Sequence, residues 1–352
     1  MKEMEEILEN KLINSWINHF ARSSRQINKP HEADAELLEI EGQNNSWLAV
    51  TIDTVSEEIA QGVYRDAFTM GWMVVMANFS DLAAVGAQPL GIVISVSLNP
   101  AQGEEFKEEL AAGAAAACQE LGVFCLGGDT NTARDISLTG CAFGLVNRQQ
   151  KITRLGCQPG DAVFVSGRIG AGNALGLVRL GGLPEALFPE KKYRPQARLK
   201  EGLLVRKYGS CCMDSSDGLL FALDQLSRLN NLGFEIEAYW EQILDPQVFN
   251  LCQKTQIPPW FMAAGIHGEF ELVFTIPPQK IHPFLQRAAQ ASFKPLRIGS
   301  VQKEPGLTIT LSSGKRASVD LAALRNLWAS PEIDLKSCLF QYHAWGKKWG
   351  LE

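Results

Sequence analysis

The sequence predicts a two-domain mixed chain, an α+β unit over residues 1–151 followed by an α/β unit over residues 152–312, with residues 313–352 as a carboxy-terminal extension packed on the body. Three observations carry this. The 352 residues, at about 150 per domain, correspond to roughly two domains. Apolar runs of strand length alternate with stretches of helical periodicity. Between the two sets lies a polar stretch, NRQQKITRLGCQPGD, with the seam near residue 152. Apolar residues make up 46% and charged residues 20% of the chain, close to globular averages, so collagen-like, disordered and coiled-coil readings are excluded.

In the amino-terminal half, residues 4–21 place Ile7, Leu8, Leu12, Ile13, Trp16, Ile17 and Phe20 at helical spacing, which predicts an amphipathic helix whose role is packing. LLEIEGQNNSWLAVTIDTV, interrupted at Gly42–Ser46, predicts a hairpin with Asp53 closing its second strand. Residues 68–85 read as a helix rich in Met, Val and Ala, in which Asn78, Ser80 and Asp81 break the apolar run. LGIVISVSL is a buried strand stopped by Pro100. EEFKEELAAGAAAACQEL is a helix with its acids in the first turn, as the helix dipole prefers. VFCL predicts a short strand leading into a Gly127-Gly128-Asp129-Thr130 turn, and DISLTGCAFGLV another strand.

The second half opens with the strand DAVFVSG. Gly167, Gly170 and Gly172 after it do not fit the dinucleotide fingerprint, so a Rossmann site is unsupported. DGLLFALDQLSRL sets Leu219, Leu220, Leu223, Leu226 and Leu229 in a helical pattern, and FELVFTIPP and residues 296–301 supply strands. Trp328, Trp345 and Trp349 are expected to hold the tail against the body.

Charge and cysteine usage narrow the function. A net charge of -6 argues against gripping nucleic acid through bulk charge. It also means that a bound nucleotide needs metal ions, helix ends or local arginines. The eight cysteines include no CxxC pair, so a zinc ribbon is unsupported and reduced, packed thiols are expected. The start is charged and lacks the apolar stretch of a secretory signal, and no run approaches 18 apolar residues, so a cytoplasmic protein without a membrane segment is expected.

Five aspartates sit in apolar sequence: Asp53, Asp81 in NFSDLAAVGAQP, Asp129 after two glycines, and Asp214 with Asp217 in MDSSDGLL. Burying any of them unpartnered costs several kcal/mol. Helix caps are one reading, for Asp81 and Asp217 above all. The other is a shared cation. Carboxylates without a histidine partner favour Mg²⁺ bridging to phosphate over zinc chemistry, and the glycines of LGGDT would let backbone N–H groups approach a phosphate.

In order along the chain, NFSDLAAVGAQP, LGGDTN, TRLGCQPGDAVFVSG, MDSSDGLL and GEFELVFT resemble the signature segments of thiamine-monophosphate kinases, within the superfamily of aminoimidazole ribonucleotide synthetase. The resemblance runs from about residue 30 to residue 302. It implies a ferredoxin-like-type α+β amino-terminal domain that dimerises through its sheet, a carboxy-terminal α/β domain, and ATP bound with Mg²⁺ near the cleft. Asp34, Thr51, Asp53, Asp81, Asp129, Asp214 and Asp217 fall on metal-binding positions, with Asp129 and Asp217 the candidate catalytic pair. Gly128, Asp129, Arg154 and Ser216 fall on nucleotide-binding positions, and Gly268, Glu269 and Tyr342 on the substrate side.

The chain departs from the pattern at three places. Ala33 replaces the first acid of an Asp-Asp pair, Ala60 stands where a substrate-contacting histidine is expected, and Gly268 stands where a glutamate faces the thiamine moiety. Tyr64 or His267 are the candidates to compensate, and Arg194 and Arg198 either face a phosphate or lie in a solvated loop. The expected activity is in-line transfer of the ATP γ-phosphoryl group to the phosphate of thiamine monophosphate, without a dedicated base. The alternatives are another small phosphate or acyl substrate on the same ATP platform, or a nucleotide-binding homologue without catalysis.

Overall fold

The computed structural model describes residue 4 and residues 6–42, 45–265, 267–328 and 335–351, with the side chains of Trp328, Leu335 and Lys336 outside that description. The predicted hairpin turn at Gln43 and Asn44, and the Trp328 side chain predicted to anchor the tail, therefore lie outside the described residues.

The amino-terminal half runs α1 (Leu8–Ile17), β1 (Glu36–Glu39), β2 (Ser46–Thr54), α2 (Ser56–Ala60), α3 (Ala67–Ala84), β3 (Gln88–Leu98), α4 (Glu104–Leu121), β4 (Cys125–Thr132) and β5 (Ser137–Asn147). Its five strands form one sheet in the order β1-β2-β5-β3-β4, antiparallel except for the parallel β3–β4 pair. The second half continues with β6 (Ala162–Val165), α5 (Ala171–Leu180), α6 (Leu199–Tyr208), β7 (Cys211–Asp214), α7 (Leu219–Asn230), β8 (Gly233–Glu237), α8 (Trp240–Ile243) and α9 (Pro246–Thr255). Then follow β9 (Leu272–Ile276), α10 (Pro278–Gln290), β10 (Leu296–Gln302), β11 (Gly306–Thr310), β12 (Arg316–Val319), α11 (Ala322–Trp328) and α12 (Leu335–Trp349). Seven strands make its sheet, in the order β12-β11-β8-β10-β6-β9-β7. The stretch after residue 312 thus supplies that sheet's edge strand as well as two helices.

Helix α3 is the axle between the halves. Every residue in it except Phe68 and Asp81 is buried, as expected of a helix that is apolar nearly all round. It packs against α4 and β5 in its own half and α6, β7 and β9 in the other. Asp66 caps it, accepting the Thr69 N–H at 2.9 Å. The aspartates of the two halves meet because this helix ends where β7 ends. None of the described helices is long and apolar enough to cross a membrane.

Three expectations change. The strand over residues 90–98, expected to be buried, lies in β3, where only Gly91 and Ile92 are buried. Of the other two changes, the first concerns α1. Helix α1 spans only Leu8–Ile17, and Leu8, Leu12, Ile13, Trp16 and Phe20 are exposed, the last two by 64% and 65%. Periodicity shows which residues share a face, but docking decides which face turns inward. Here Ile7 and Asn10 are buried, with Asn10 Nδ2 donating to Gln225 Oε1 on α7 at 3.3 Å. The second change is at Gly127-Gly128, which is strand and not turn: β4 runs unbroken to Thr132 beside β3. Gly127, at φ +153°, lies at a register shift, and a Cβ on Gly128 would stand 1.9 Å from the Ile94 carbonyl oxygen. Strand geometry alone accounts for both glycines. None of the eight cysteines is in a disulfide, and all are buried except the exposed Cys125 and half-buried Cys141.

Candidate functional site

Asp34 lies just before β1, Asp81 in the last turn of α3 and Asp214 at the end of β7. One carboxylate oxygen from each lies within 4.8 Å of the others. Asp81 is therefore no helix cap. It sits at the C-terminal end of a helix, where the dipole disfavours negative charge. Nor does Asp217 cap α7, whose N-cap is Gly218 without a side-chain bond.

Each of the three carboxylates is steered by another element. Arg154 Nη2 donates to Asp34 Oδ1 at 2.9 Å, the Thr51 hydroxyl on β2 donates to Asp81 Oδ2, and the Ser80 hydroxyl donates to Asp214 Oδ2 at 2.7 Å. Asp53, two residues beyond Thr51 on β2, is pinned through its backbone. Its N–H donates to Asn78 Oδ1 at 3.0 Å, and Asn78 Nδ2 donates to its carbonyl at 3.3 Å. Asn78 and Ser80, flagged in the sequence as polar breaks in an apolar helix, are thus the supports of the cluster.

The electrostatics agree with the geometry. Burial, then repulsion by Asp34, pushes Asp53 up to about 6 and Asp214 up to about 8. Burial, followed by Asp53, Asp214 and Asp34, holds Asp81 well above the usual carboxylate range. Burial opposes the charge of Arg154, and Asp34 more than reverses that. Asp34 Oδ2 is buried without a hydrogen-bond partner. A buried, mutually repelling set of oxygens with one orphan acceptor is a donor set suited to a hard divalent cation.

Other predicted residues lie apart from the three. Asp129 and Gly128 are on exposed β4, where Asp129 accepts from Asn131 Nδ2 at 2.6 Å. Asp217 and Tyr342 line a cavity of about 320 Å³ beside α7. Burial, then Glu9, raises Asp217 to about 7. Tyr342 stacks on Trp260, ring centroids 5.5 Å apart, and its hydroxyl donates to the Ala264 carbonyl.

The 267–271 segment turns its acids away from that cavity. Glu269 accepts the Gly170 N–H at the start of α5 at 2.5 Å. Glu271 binds Arg198 Nε at 2.8 Å and the Ser166 hydroxyl. Arg198 therefore serves an internal ion pair, as does Arg194, whose Nη2 lies 3.5 Å from Asp66. Gly268 is clamped: its N–H donates to the Ser216 carbonyl at 2.7 Å, and a Cβ would stand 1.7 Å from the Ser215 carbonyl oxygen. Only His267 from this segment, with Gly265 before it, reaches the cavity. Its Nε2 is hydrogen-bonded to Tyr64 at 2.9 Å, and burial lowers it to about 4, so it is neutral. The two candidates to compensate for the lost substrate contacts are thus bonded to each other.

Glu9, Glu58, Phe221 and Arg325 also line the cavity and had no signal in the sequence. They come from α1, α2, α7 and α11, and only the fold brings them together.

Two packed halves, each with its own sheet, bring three carboxylates together at their seam, and residues 32–146 match the family described as AIR synthase related protein, N-terminal domain, the aminoimidazole ribonucleotide (AIR) synthase-related class. Over 269 residues the chain is 32% identical to the thiamine-monophosphate kinase of Pyrococcus horikoshii, covering 76% of this chain and 82% of that one. Over 265 residues it is 31% identical to that of Archaeoglobus fulgidus, covering 75% and 80%. The chain belongs to the thiamine-monophosphate kinase family. A solved structure described as AaThiL complexed with AMPPCP and TMP shares the fold, with a TM-score of 0.71 at 24% identity, covering 90% of this chain and 95% of that one.

Proposed function

We propose that this chain is an ATP-dependent kinase that transfers the γ-phosphoryl group of ATP to the phosphate of thiamine monophosphate, giving ADP and thiamine diphosphate. The observation that carries the reading, beside family membership, is the convergence of Asp34, Asp81 and Asp214. These three, with Thr51 and Asp53 next to them, would hold Mg²⁺. Bound there, Mg²⁺ supplies positive charge to the phosphates that a net-acidic chain lacks.

The acceptor needs no base. A phosphate monoester, with its second pKa near about 6, already carries an unprotonated oxygen at neutral pH. That oxygen attacks the γ-phosphorus in line, a new P–O bond forms, the bond to the bridging oxygen breaks, and ADP leaves with the electron pair. The protein's part is placement. Arg154 fixes Asp34, Ser80 fixes Asp214 and Thr51 fixes Asp81, so the charges are in position before the substrates arrive. Asp129 and Ser216 join the nucleotide side of this proposal, and Asp217 and Tyr342 the acceptor side.

The active species in this reading is a homodimer paired through the amino-terminal sheet. β4 is an exposed sheet edge, and Phe124, Leu126, Leu90 and Ile52 are exposed, Phe124 by 73%. An apolar groove of about 820 Å³ runs beside them between α4 and the sheet. A surface of this kind is the mark of an interface. Sedimentation equilibrium of wild type and of Leu126→Lys measures it, with the dimer mass expected for the first and the monomer mass for the second.

The decisive assay is ADP release with Mg²⁺-ATP and thiamine monophosphate, beside a panel of other small phosphates. Saturable turnover on thiamine monophosphate is expected. Turnover only on another acceptor rejects that substrate and keeps the ATP site, and ATP binding without turnover on any acceptor favours a non-catalytic homologue.

A further inference from the structure

We propose that Glu58, backed by Glu9, is the specificity-determining carboxylate that recognises the positively charged heteroaromatic ring of the acceptor. The inference rests on the thiamine-monophosphate reading and deepens it. It starts from a deficit: the wall that family resemblance makes acidic is not acidic here. Gly268 has no space for a side chain, and Glu269 and Glu271 are committed to Gly170 and to Arg198 with Ser166.

The cavity is nonetheless lined by carboxyl groups, and they come from elements other than the 267–271 segment. Glu57 and Glu58 on α2 and Glu9 on α1 line it together with Asp217. Among the described lining residues the one arginine is Arg325, which is held by Asp224 at 3.1 Å and Gln225 at 2.9 Å. Arg325 Nη2 also stands 3.6 Å from Glu9, which leaves Glu9 partly neutralised. Glu58 is different. Its Oε2 is buried without a hydrogen-bond partner, an acceptor removed from water with nothing to compensate it.

Phe221, Phe261 and Tyr342 complete the lining with aromatic surface. A carboxylate with a buried, unpartnered oxygen, in a cavity of about 320 Å³ that aromatic rings also line, fits a flat organic cation better than a neutral ring or an anion. The thiazolium of thiamine monophosphate is such a cation. Glu9 and Tyr342 come from terminal segments outside residues 30–302, so part of the acceptor seat lies beyond the stretch that carries the family motifs.

The test uses the full chain and the variants Glu58→Gln, Glu58→Asp, Glu9→Gln and Glu58→Gln with Glu9→Gln. The Glu58 side chain holds no partner through Oε2, and its backbone carbonyl, which accepts the Val63 N–H at 2.8 Å, is untouched by substitution. ADP release is measured as KM and kcat for thiamine monophosphate and for Mg²⁺-ATP, and binding of unphosphorylated thiamine by calorimetry. Glu58→Gln is expected to raise the KM for thiamine monophosphate at least about tenfold and to weaken thiamine binding in parallel, the scale of one lost charge contact away from water. The KM for Mg²⁺-ATP stays within about twofold, and Glu58→Asp falls between wild type and Glu58→Gln. Wild-type thiamine binding and KM in the double variant would overturn the inference while leaving the kinase reading intact. No turnover of thiamine monophosphate by wild type, with thiamine binding still lost in Glu58→Gln, would overturn the kinase reading and leave the cation seat standing.

Discussion

At the seam, Asp34, Asp81 and Asp214 are each held by a hydrogen bond from a different element, in a space where burial and neighbouring carboxylates drive the protonation of Asp81 and Asp214 up. Beside α7, the cavity is lined mostly by apolar and aromatic side chains, with carboxylates brought in by α1 and α2. The first region is costly to the fold and over-determined by its supports. The second is assembled from side chains that packing tolerates in many combinations. The contrast fits the retention of Asp34, Asp53, Asp81 and Asp214 despite the one acid lost at Ala33, against the two departures at Ala60 and Gly268 on the acceptor side. A charged nest works only with its whole set of supports, whereas a recognising charge can enter a pocket from more than one wall.

The sharpest way to break this contrast is Asp81→Asn. If the nest holds the charge that transfer requires, turnover falls at least about a hundredfold, or about 2.7 kcal/mol of barrier, the scale of one lost electrostatic element. The same change removes a repelling carboxylate, so the metal-free variant is expected to melt above wild type. Activity near wild type in ADP release, or a lower melting temperature, would count against a nest that trades stability for function.

Legibility in the sequence divides along the same line. The residues of α3, α4 and β2 carry their patterns in short windows, and their boundaries follow from periodicity and caps. Asp81 and Asp214 were visible because a carboxylate in an apolar run has no cheap explanation, and Asn78 and Ser80 because the same helix should have been wholly apolar. Glu58 sits in a charged, ordinary-looking stretch, and its loneliness exists only after α2 folds over the cavity. The exposure of Trp16 was equally invisible, since amphipathic spacing is silent about which face docks. Gly128 was legible as a special position and misleading as to cause, because close approach of a strand and of a phosphate ask for the same residue.

Gly268 offers the next largest effect. A glutamate cannot be restored there, because even a Cβ would collide with the Ser215 carbonyl oxygen at 1.7 Å. Gly268→Ala should destabilise the fold by about 1–3 kcal/mol, as overpacking does, read as a drop in the denaturant midpoint. A neutral result would mean that the 215–218 turn yields easily and that Gly268 is free to vary.

Mg²⁺ and pH probe the nest more gently. Asp53 and Asp214 have folded values raised to about 6 and about 8 from an unfolded 3.8. The folded chain therefore holds protons that the unfolded chain has released, and metal-free stability falls as pH rises from about 4 through about 8. Mg²⁺ at ten times its dissociation constant adds about 1.4 kcal/mol, and its affinity is greater at pH 8 than at pH 6 because fewer protons must leave. Thermal melts with and without Mg²⁺ at the two pH values measure this, and an equal shift at both would show that the raised carboxylates are not the ligands.

The smallest expected effect separates two neighbours on one helix. Glu57 and Glu58 both line the cavity, but Glu57 is exposed and accepts from Gln61 Nε2 at 2.9 Å, whereas Glu58 has a buried oxygen with no partner. A carboxylate in water is screened and contributes at most a few tenths of a kcal/mol to a nearby cation. Glu57→Gln should therefore change the KM for thiamine monophosphate by about twofold or less, against the tenfold expected of Glu58→Gln. Equal effects from the two variants would mean that the pocket attracts the acceptor by its overall field, in which case the position of the charge, and with it the distinction between a placed carboxylate and a tolerant wall, would not matter.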